Sequence, residues 1–304
     1  MVECGGWTPV GAPQKQEKPK TQVKKRTWGT RQLKNGRPQK AARTKSRKSK
    51  QRSRRNGVSW EDRREMRRRF FVQKFEGQRA QMEGEAAHHL GRVLRAQPGQ
   101  LYELSDGQRV WLGRVELVGR DIIEFALVEE LEQQLPSLNT TLLLAVVKFD
   151  AFEWALEKAT ELGITRIVPL AAARSEKALL VAAPKRVERW RKILLEASQQ
   201  SRRVNVPLLE PLAKPEAAFA SKAEPLRVML SEAPEVKPLR LVLAGQQGKA
   251  AVLAIGPEGG WTDMEFAAAR GAQFHEASLG KLILRTETAV VAALASLNLA
   301  LSSD

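Results

Sequence analysis

An unbroken apolar run, Ala250 to Ile255, passes directly into Gly256-Pro257-Glu258-Gly259-Gly260. A run without polar alternation fits a strand covered on both faces, the pattern of a parallel sheet. The loop that follows carries glycine at three of five positions. Glycine lacks the Cβ that blocks close approach, so such a loop can bring backbone N–H and C=O groups up to a ligand. A second glycine-marked turn, Ser278-Leu279-Gly280, precedes Leu284-Arg285-Thr286-Glu287-Thr288-Ala289 and an alanine-rich helix. Two tight turns after two strands, close in sequence, read as two lips of one pocket.

The rest of the chain from Thr140 agrees with that reading. Thr141 to Val147 is a second continuous apolar run, and Ile164 to Leu170, Leu226 to Leu230 and Leu239 to Leu243 read as further strands. Between them, Phe152 to Leu162 is an amphipathic helix stopped by Gly163, and Pro184 to Gln200 is a longer one carrying Trp190, Ile193 and Leu194. Thr262 is placed to cap a short helix to Arg270, with Glu265 three residues on completing a capping box. The last helix starts at Thr286 or Thr288 and runs to about Leu301. Strands alternating with helices give an α/β domain with a mainly parallel sheet.

Residues 66–133 follow another pattern, that of a small, mainly β domain. Arg69 to Lys74, Leu101 to Leu104, Val110 to Leu117 and Ile122 to Val128 read as strands, with Asp106-Gly107 as a hairpin turn. Gly84 to Arg95 fits one helix with Ala87, Leu90, Val93 and Leu94 on its apolar face. Several short strands with one helix suggest a small barrel of the kind that binds RNA. On the helix, Arg92 and Arg95 share a face and could grip phosphates; a solvated surface is the commoner fate of such a pair. His88 and His89 are adjacent and point apart, so they are not a metal pair, and no metal site is expected.

Charge divides the chain unevenly. Of 51 Lys and Arg and 34 Asp and Glu, residues 1–60 hold 18 and 2, which leaves 33 against 32 in the body. The excess therefore sits in an N-terminal tail whose composition cannot bury a core, and which is expected to be disordered. Such a tail binds polyanions by counterion release. Trp7, Trp28 and Trp60 are available there for stacking on bases. The alternatives are an incidental extension or a true start at Met66. The single cysteine, Cys4, excludes a disulfide framework. No secretory signal and no membrane-length apolar run is evident, so a cytoplasmic protein is expected.

The glycine loop is not a phosphate loop, because no Lys-Ser/Thr follows the glycines, and it is not Gly-x-Gly-x-x-Gly. Pro257 and Glu258 make it stiff and acidic. On chemistry alone it suits a nucleoside-like cofactor read by backbone groups. Taken together, Ile255 to Gly260, Leu279-Gly280 and Ile283 to Ala289 resemble the signature of the RsmE family. His88-His89-Leu90, Glu153-Trp154, Lys158 to Gly163 and Gln200-Ser201-Arg202 match in the same order, from about Met66 to the C-terminus.

The resemblance implies a methyltransferase of the SPOUT superfamily that uses S-adenosyl-L-methionine and methylates N3 of a uridine in 16S ribosomal RNA of the small subunit. It implies a disordered basic tail over 1–65, a PUA-like RNA-binding β-barrel domain over 66–135, and a SPOUT α/β domain with a deep trefoil knot over 140–304. A homodimer is implied, with neither membrane nor metal. Cofactor contacts are expected at Leu230, Ile255, Gly256, Glu258, Gly260, Leu279, Gly280 and Leu284. RNA contacts are expected at Arg68, Arg69, Arg92, Arg95, Arg174 and Arg202. Arg285 is expected to stabilise the uridine anion. Glu287 or Glu258 is expected to accept the proton or position the base; the other role for Glu287 is a carboxylate favoured by a helix N-terminus. A uridine C5 methyltransferase of the thiolate type is disfavoured because the one cysteine lies in the tail. A catalytically inactive RNA-binding or ribosome-assembly factor of the same fold is the competing reading.

Overall fold

A computed structural model describes residues 69–133, 135–220 and 225–301. The expected basic tail, its tryptophans, Met66 and Arg68 lie outside the described residues.

The first sheet contains β1 (Arg69–Phe71), β2 (Phe75–Glu76), β3 (Arg79–Glu83), β4 (Leu101–Ser105), β5 (Val110–Val118) and β6 (Ile122–Leu131). Its order is β1-β4-β5-β6-β3-β2, antiparallel except for the β1–β4 pair. The edge strands β1 and β2 are consecutive in the chain. A flat six-stranded sheet would hold its edges roughly 24 Å apart, whereas the four residue steps from Phe71 to Phe75 reach about 14 Å at most. The sheet must therefore curl on itself. Phe70, Leu90, Leu104, Val115, Ile123 and Phe125 fill the space it encloses.

Helix α1 (Gly84–His88) differs from the expected single helix over Gly84 to Arg95. After one turn the backbone widens into a π-turn, His89–Val93, and the Leu94 N–H bonds to the His89 carbonyl. Ala87 and Leu90 remain buried, but Val93 is 61% exposed. The extra residue per turn rotates Val93 and Leu94 away from the barrel, and the chain returns to it at the buried Ala96.

The second sheet contains β7 (Asn139–Ala145), β8 (Arg166–Leu170), β9 (Leu208–Leu209), β10 (Leu226–Leu230), β11 (Ala250–Ile255) and β12 (His275–Ala277). Its order is β12-β10-β11-β7-β8-β9, and every pairing is parallel. Continuous apolar strands are explained by burial on both sides. Leu142 and Leu144 of β7 face one core and Leu143 and Ala145 the other. Helices α2 (Phe149–Glu161) and α4 (Val187–Gln200) cover the first face, with α8 (Thr286–Leu301). There Trp190 lies 4.7 Å from Phe152 between ring centroids. Each such large side chain contributes about 1.5–3 kcal/mol on full burial. The other face is covered by α5 (Pro215–Phe219) and α7 (Asp263–Gly271), through Phe219 and Ala269 with Trp261 and Phe274. The remaining helices are α3 (Lys177–Ala182) and α6 (Leu239–Leu243).

The last of these corrects an expectation: Leu239 to Leu243 is a helical turn, not a strand. Pro238 precedes it and starts the turn, and Leu239 and Leu243, four apart, are the residues that bury. A five-residue apolar run is too short for its period to decide between the two forms.

Specific bonds tie the first sheet to the loop that follows α4. The Ser105 hydroxyl donates to the Val204 carbonyl at 2.5 Å, and Arg69 Nη1 donates to the Arg202 carbonyl at 2.6 Å.

Candidate active site

Because β10, β11 and β12 are parallel neighbours, their carboxyl ends lie along one edge of the sheet, where ligands bind in open α/β folds. From that edge rise the loop after Ile255 and the loop after Ala277. The first is a tight turn in which the Gly260 N–H bonds to the Pro257 carbonyl at 2.8 Å. It then enters α7 through the expected capping box: Thr262 Oγ1 accepts from the Glu265 N–H, and Glu265 Oε2 accepts from the Thr262 N–H at 2.7 Å. The second loop is anchored at Ser278, whose N–H and C=O bond to the Lys237 carbonyl and the Leu239 N–H.

Three contacts hold this edge of the sheet together: one ties the first loop to β10, one closes that loop on itself, and one ties it to the start of α8. Trp261 Nε1 donates to the Leu230 carbonyl at the end of β10, at 3.0 Å. The Trp261 indole covers Gly256 so closely that a Cβ there would lie 3.0 Å from the ring. Thr286 Oγ1, at the start of α8, reaches the Gly256 carbonyl at 3.4 Å. Between the loops is a cleft of about 350 Å³.

All eight residues expected to touch the cofactor line this cleft. They come from three separate segments: the end of β10, the Ile255 to Gly260 loop, and the Leu279 to Leu284 loop. Trp261, Ser231 and Phe266 line it too and were not singled out as site residues. Trp261 had a signal, since it ends the glycine loop; Ser231 and Phe266 had none. Arg285 and Glu287 are not in the wall. Arg285 is exposed between the lining residues Leu284 and Thr286, and Glu287 is half-buried in the first turn of α8. Neither side chain has a hydrogen-bond or ion-pair partner among the described residues.

A model of the RNA methyltransferase domain matches residues 133–298, and a model of the RNA methyltransferase PUA domain matches residues 83–128. The ribosomal RNA small subunit methyltransferase E of Synechocystis is 36% identical over 224 residues, 71% of each chain. The chain belongs to the ribosomal RNA small subunit methyltransferase E family. Solved structures agree. A family member from Neisseria gonorrhoeae, bound to S-adenosyl methionine, superposes with a TM-score of 0.69 at 30% identity, over 77% of this chain and 98% of that one. A Legionella pneumophila protein in complex with the cofactor SAM gives 0.71 at 29% identity, over 78% and 98%.

The arginines expected to meet RNA fall in different settings. Arg92 and Arg95 are exposed at the end of the π-turn. Arg174 is exposed at the rim of the cleft, where its Nη1 donates to the Gly259 carbonyl at 2.8 Å. Arg69 is corrected: it is buried, its guanidinium spent on Glu103 at 3.0 and 3.2 Å and on the Arg202 carbonyl. It ties the barrel to the loop after α4 and offers no face to a phosphate. Arg202 is partly exposed, with Nη1 3.6 Å from the same Glu103. Its neighbour Arg203, buried against the Thr160 carbonyl, has its guanidinium pushed down to about 10 by burial. No cluster of three or more His, Cys, Asp or Glu side chains that could hold a metal occurs among the described residues.

Proposed function

We propose that this protein is an S-adenosyl-L-methionine-dependent methyltransferase that acts on N3 of a uridine in 16S ribosomal RNA of the small subunit. The observation that carries the reading is the convergence of three sequence segments on one cleft at the carboxyl ends of parallel strands. The two solved relatives that hold this cofactor support it.

The cleft suits the cofactor on its own terms. About 350 Å³ lies within the range of small-molecule sites. Leu230, Leu279 and Leu284 give it an apolar wall for a flat ring, and the glycine loop brings peptide groups to its rim. When bound, S-adenosylmethionine supplies an electrophilic methyl group. The chain's own residues deal with the other reactant. Uridine N3–H is a weak acid, and N3 becomes nucleophilic when that proton leaves. Arg285 projects from the start of α8 beside the cleft, without a partner among the described residues, so its charge is available to the anion that develops on the base. Glu258, in the cleft wall, is nearer to the work of proton acceptor than Glu287, which lies outside the wall.

We assign RNA binding to the barrel over 66–135, through Arg92 and Arg95, and catalysis to 140–304, which adds Arg174 and Arg202 as RNA contacts. Residues 1–65 are assigned as a basic arm for the ribosomal substrate, and Arg68 beside it as one more contact. The C-terminal domain is inferred to carry the trefoil knot of its superfamily, and the protein to act in the cytoplasm without a metal. A homodimer is inferred as well: Leu282 and Ile283, at the cleft mouth, are 83% and 80% exposed, a state that a second subunit would relieve.

The test is methyl transfer from labelled S-adenosylmethionine to purified small subunits, followed by mass spectrometry of the RNA. A single N3-methyluridine is the expected product. Cofactor binding without methylation of subunits or naked RNA would instead establish an inactive assembly factor.

A further inference from the structure

We propose that Arg174 is a positioning residue that links the two substrates of this reaction. One edge of its guanidinium holds the glycine loop of the cofactor cleft, and the other takes a phosphate of the RNA. The inference rests on the methyltransferase reading above.

Arg174 sits on a segment fixed on both sides. Before it, the Ala173 N–H donates to Glu265 Oε1 at 2.9 Å, and Glu265 is buried at the start of α7 with its other oxygen on Thr262. After it, the Ser175 hydroxyl donates to the Val146 carbonyl at 2.7 Å, also buried. The backbone of Arg174 is thereby tied to the same capping box that ends the glycine loop. Its side chain returns to that loop: Nη1 donates to the Gly259 carbonyl at 2.8 Å. Gly259 is shaped for this contact, because a Cβ there would stand 3.2 Å from the Cβ of Arg174.

The guanidinium is not used up by this bond. It carries five N–H donors in a rigid planar fork, and one carbonyl takes one of them. No carboxylate pairs with it among the described residues, and the side chain is exposed at the rim of the cleft. A cation with a free edge, held in place by its other edge, suits bidentate recognition of a phosphate. A phosphate on the free edge also holds the fork where Gly259 needs it. RNA then orders the cofactor loop, and by linkage the cofactor favours RNA to the same extent. A brace with a purely structural role would stabilise the loop without this reciprocity.

The experiment measures the Kd of S-adenosylhomocysteine, which has no methyl group to transfer, by calorimetry with and without saturating small subunits. It uses the wild type, Arg174→Ala, Arg174→Lys and Gly259→Ala. In the wild type, subunits are expected to tighten binding by about fivefold or more, the usual lower range of such coupling. The factor is expected to fall to near one in Arg174→Ala and in Arg174→Lys, whose ammonium is a point charge without a second edge. Gly259→Ala crowds Arg174 from the loop side, its Cβ 3.2 Å from that of Arg174, so it is expected to weaken the coupling while keeping its affinity for subunits. Should Arg174→Ala fail to fold, Arg174→Lys and Gly259→Ala decide. A wild-type factor near one, or one that survives the substitutions, overturns the proposal. A wild type that binds no S-adenosylhomocysteine at all overturns the methyltransferase reading instead.

Discussion

The Trp261 indole N–H donates to the carbonyl of Leu230 at 3.0 Å, and so joins the loop leaving β11 to the end of the neighbouring strand β10. Trp261 is buried, with its ring 5.9 Å from Phe219 between centroids. It supports the cleft from behind while lining it. Trp261→Phe keeps an aromatic ring but leaves the Leu230 carbonyl without its donor. In this partly buried setting an unpaired acceptor costs about 1 kcal/mol, the low end of the range for buried groups. The melting temperature is expected to drop by ~2–4 °C per kcal/mol, and S-adenosylhomocysteine affinity to fall with it. An unchanged affinity would show that the indole bond plays no part in shaping the cleft.

Gly256 is the position under that ring. A Cβ there meets the indole at 3.0 and 3.1 Å, and both ring atoms belong to a side chain already held by Leu230 and Phe219. Gly256→Ala is expected to cost about 1–3 kcal/mol, as overpacking does. The loss of cofactor affinity should exceed that of Gly271→Ala, where an added Cβ meets nothing within 4 Å. Urea unfolding and calorimetry on the two variants check this.

How far these features could be read from the sequence depends on the range of the interaction. The capping box at Thr262 and Glu265 is local, and it is present as expected. The parallel sheet followed from apolar runs that only two-sided burial explains. Leu239 to Leu243 was misread because five apolar residues have no period to measure. The π-turn after His88 was invisible, since no residue type announces one extra residue in a turn. Arg69 was misassigned for a different reason: its partners are Glu103, 34 residues away, and the Arg202 carbonyl, 133 away. Nothing near it in sequence distinguishes a buried arginine from a solvated one. The two glycine turns of the cleft were legible because such turns are local, and the eight wall residues came with the family resemblance, whereas Arg174 closing on Gly259 across 85 residues was not legible.

Arg285 and Glu287 are two residues apart but differ in setting. Arg285 is exposed beside the cleft, and Glu287 sits half-buried in the first turn of α8. Removing a preorganised charge from a developing anion costs roughly 10²–10³ in kcat. Arg285→Ala is expected to show a loss of that order with S-adenosylhomocysteine affinity unchanged. Glu287→Gln removes a negative charge from a helix N-terminus, worth about 0.3–1 kcal/mol of stability. Its kcat is expected to fall much less than that of Arg285→Ala. A larger effect from Glu287→Gln, with loss of the acid limb of the pH–rate profile, would make Glu287 the proton acceptor.

Cofactor should also protect the fold. A ligand that binds the native state alone stabilises by about 2.7 kcal/mol at one hundred times its Kd. S-adenosylhomocysteine at that concentration is expected to raise the melting temperature by several degrees in the wild type. The rise should be smaller in Gly256→Ala when both are measured at the same ligand concentration. An equal rise would place the ligand elsewhere.

The ion pair between Arg69 and Glu103 tests the division between arginines that hold the fold and arginines that meet RNA. Both side chains are nearly buried, at 8% and 12% exposure, and Glu103 also faces Arg202. Removing one partner of a buried pair leaves the other charge uncompensated, at a cost of about 3–5 kcal/mol. Glu103→Ala is therefore expected to unfold at markedly lower urea. Because the penalty comes from the orphaned charge, Arg69→Met combined with Glu103→Leu is expected to recover much of the stability. RNA binding separates the two roles. Each phosphate contact contributes about 0.7–0.9 to the slope of log K against log salt. The Arg69→Met, Glu103→Leu variant is expected to keep the wild-type slope, because Arg69 touches no phosphate. Replacing Arg92 and Arg95 by alanine is expected to flatten the slope, since both are exposed. A flattened slope in the Arg69 variant at wild-type stability would return Arg69 to the RNA interface.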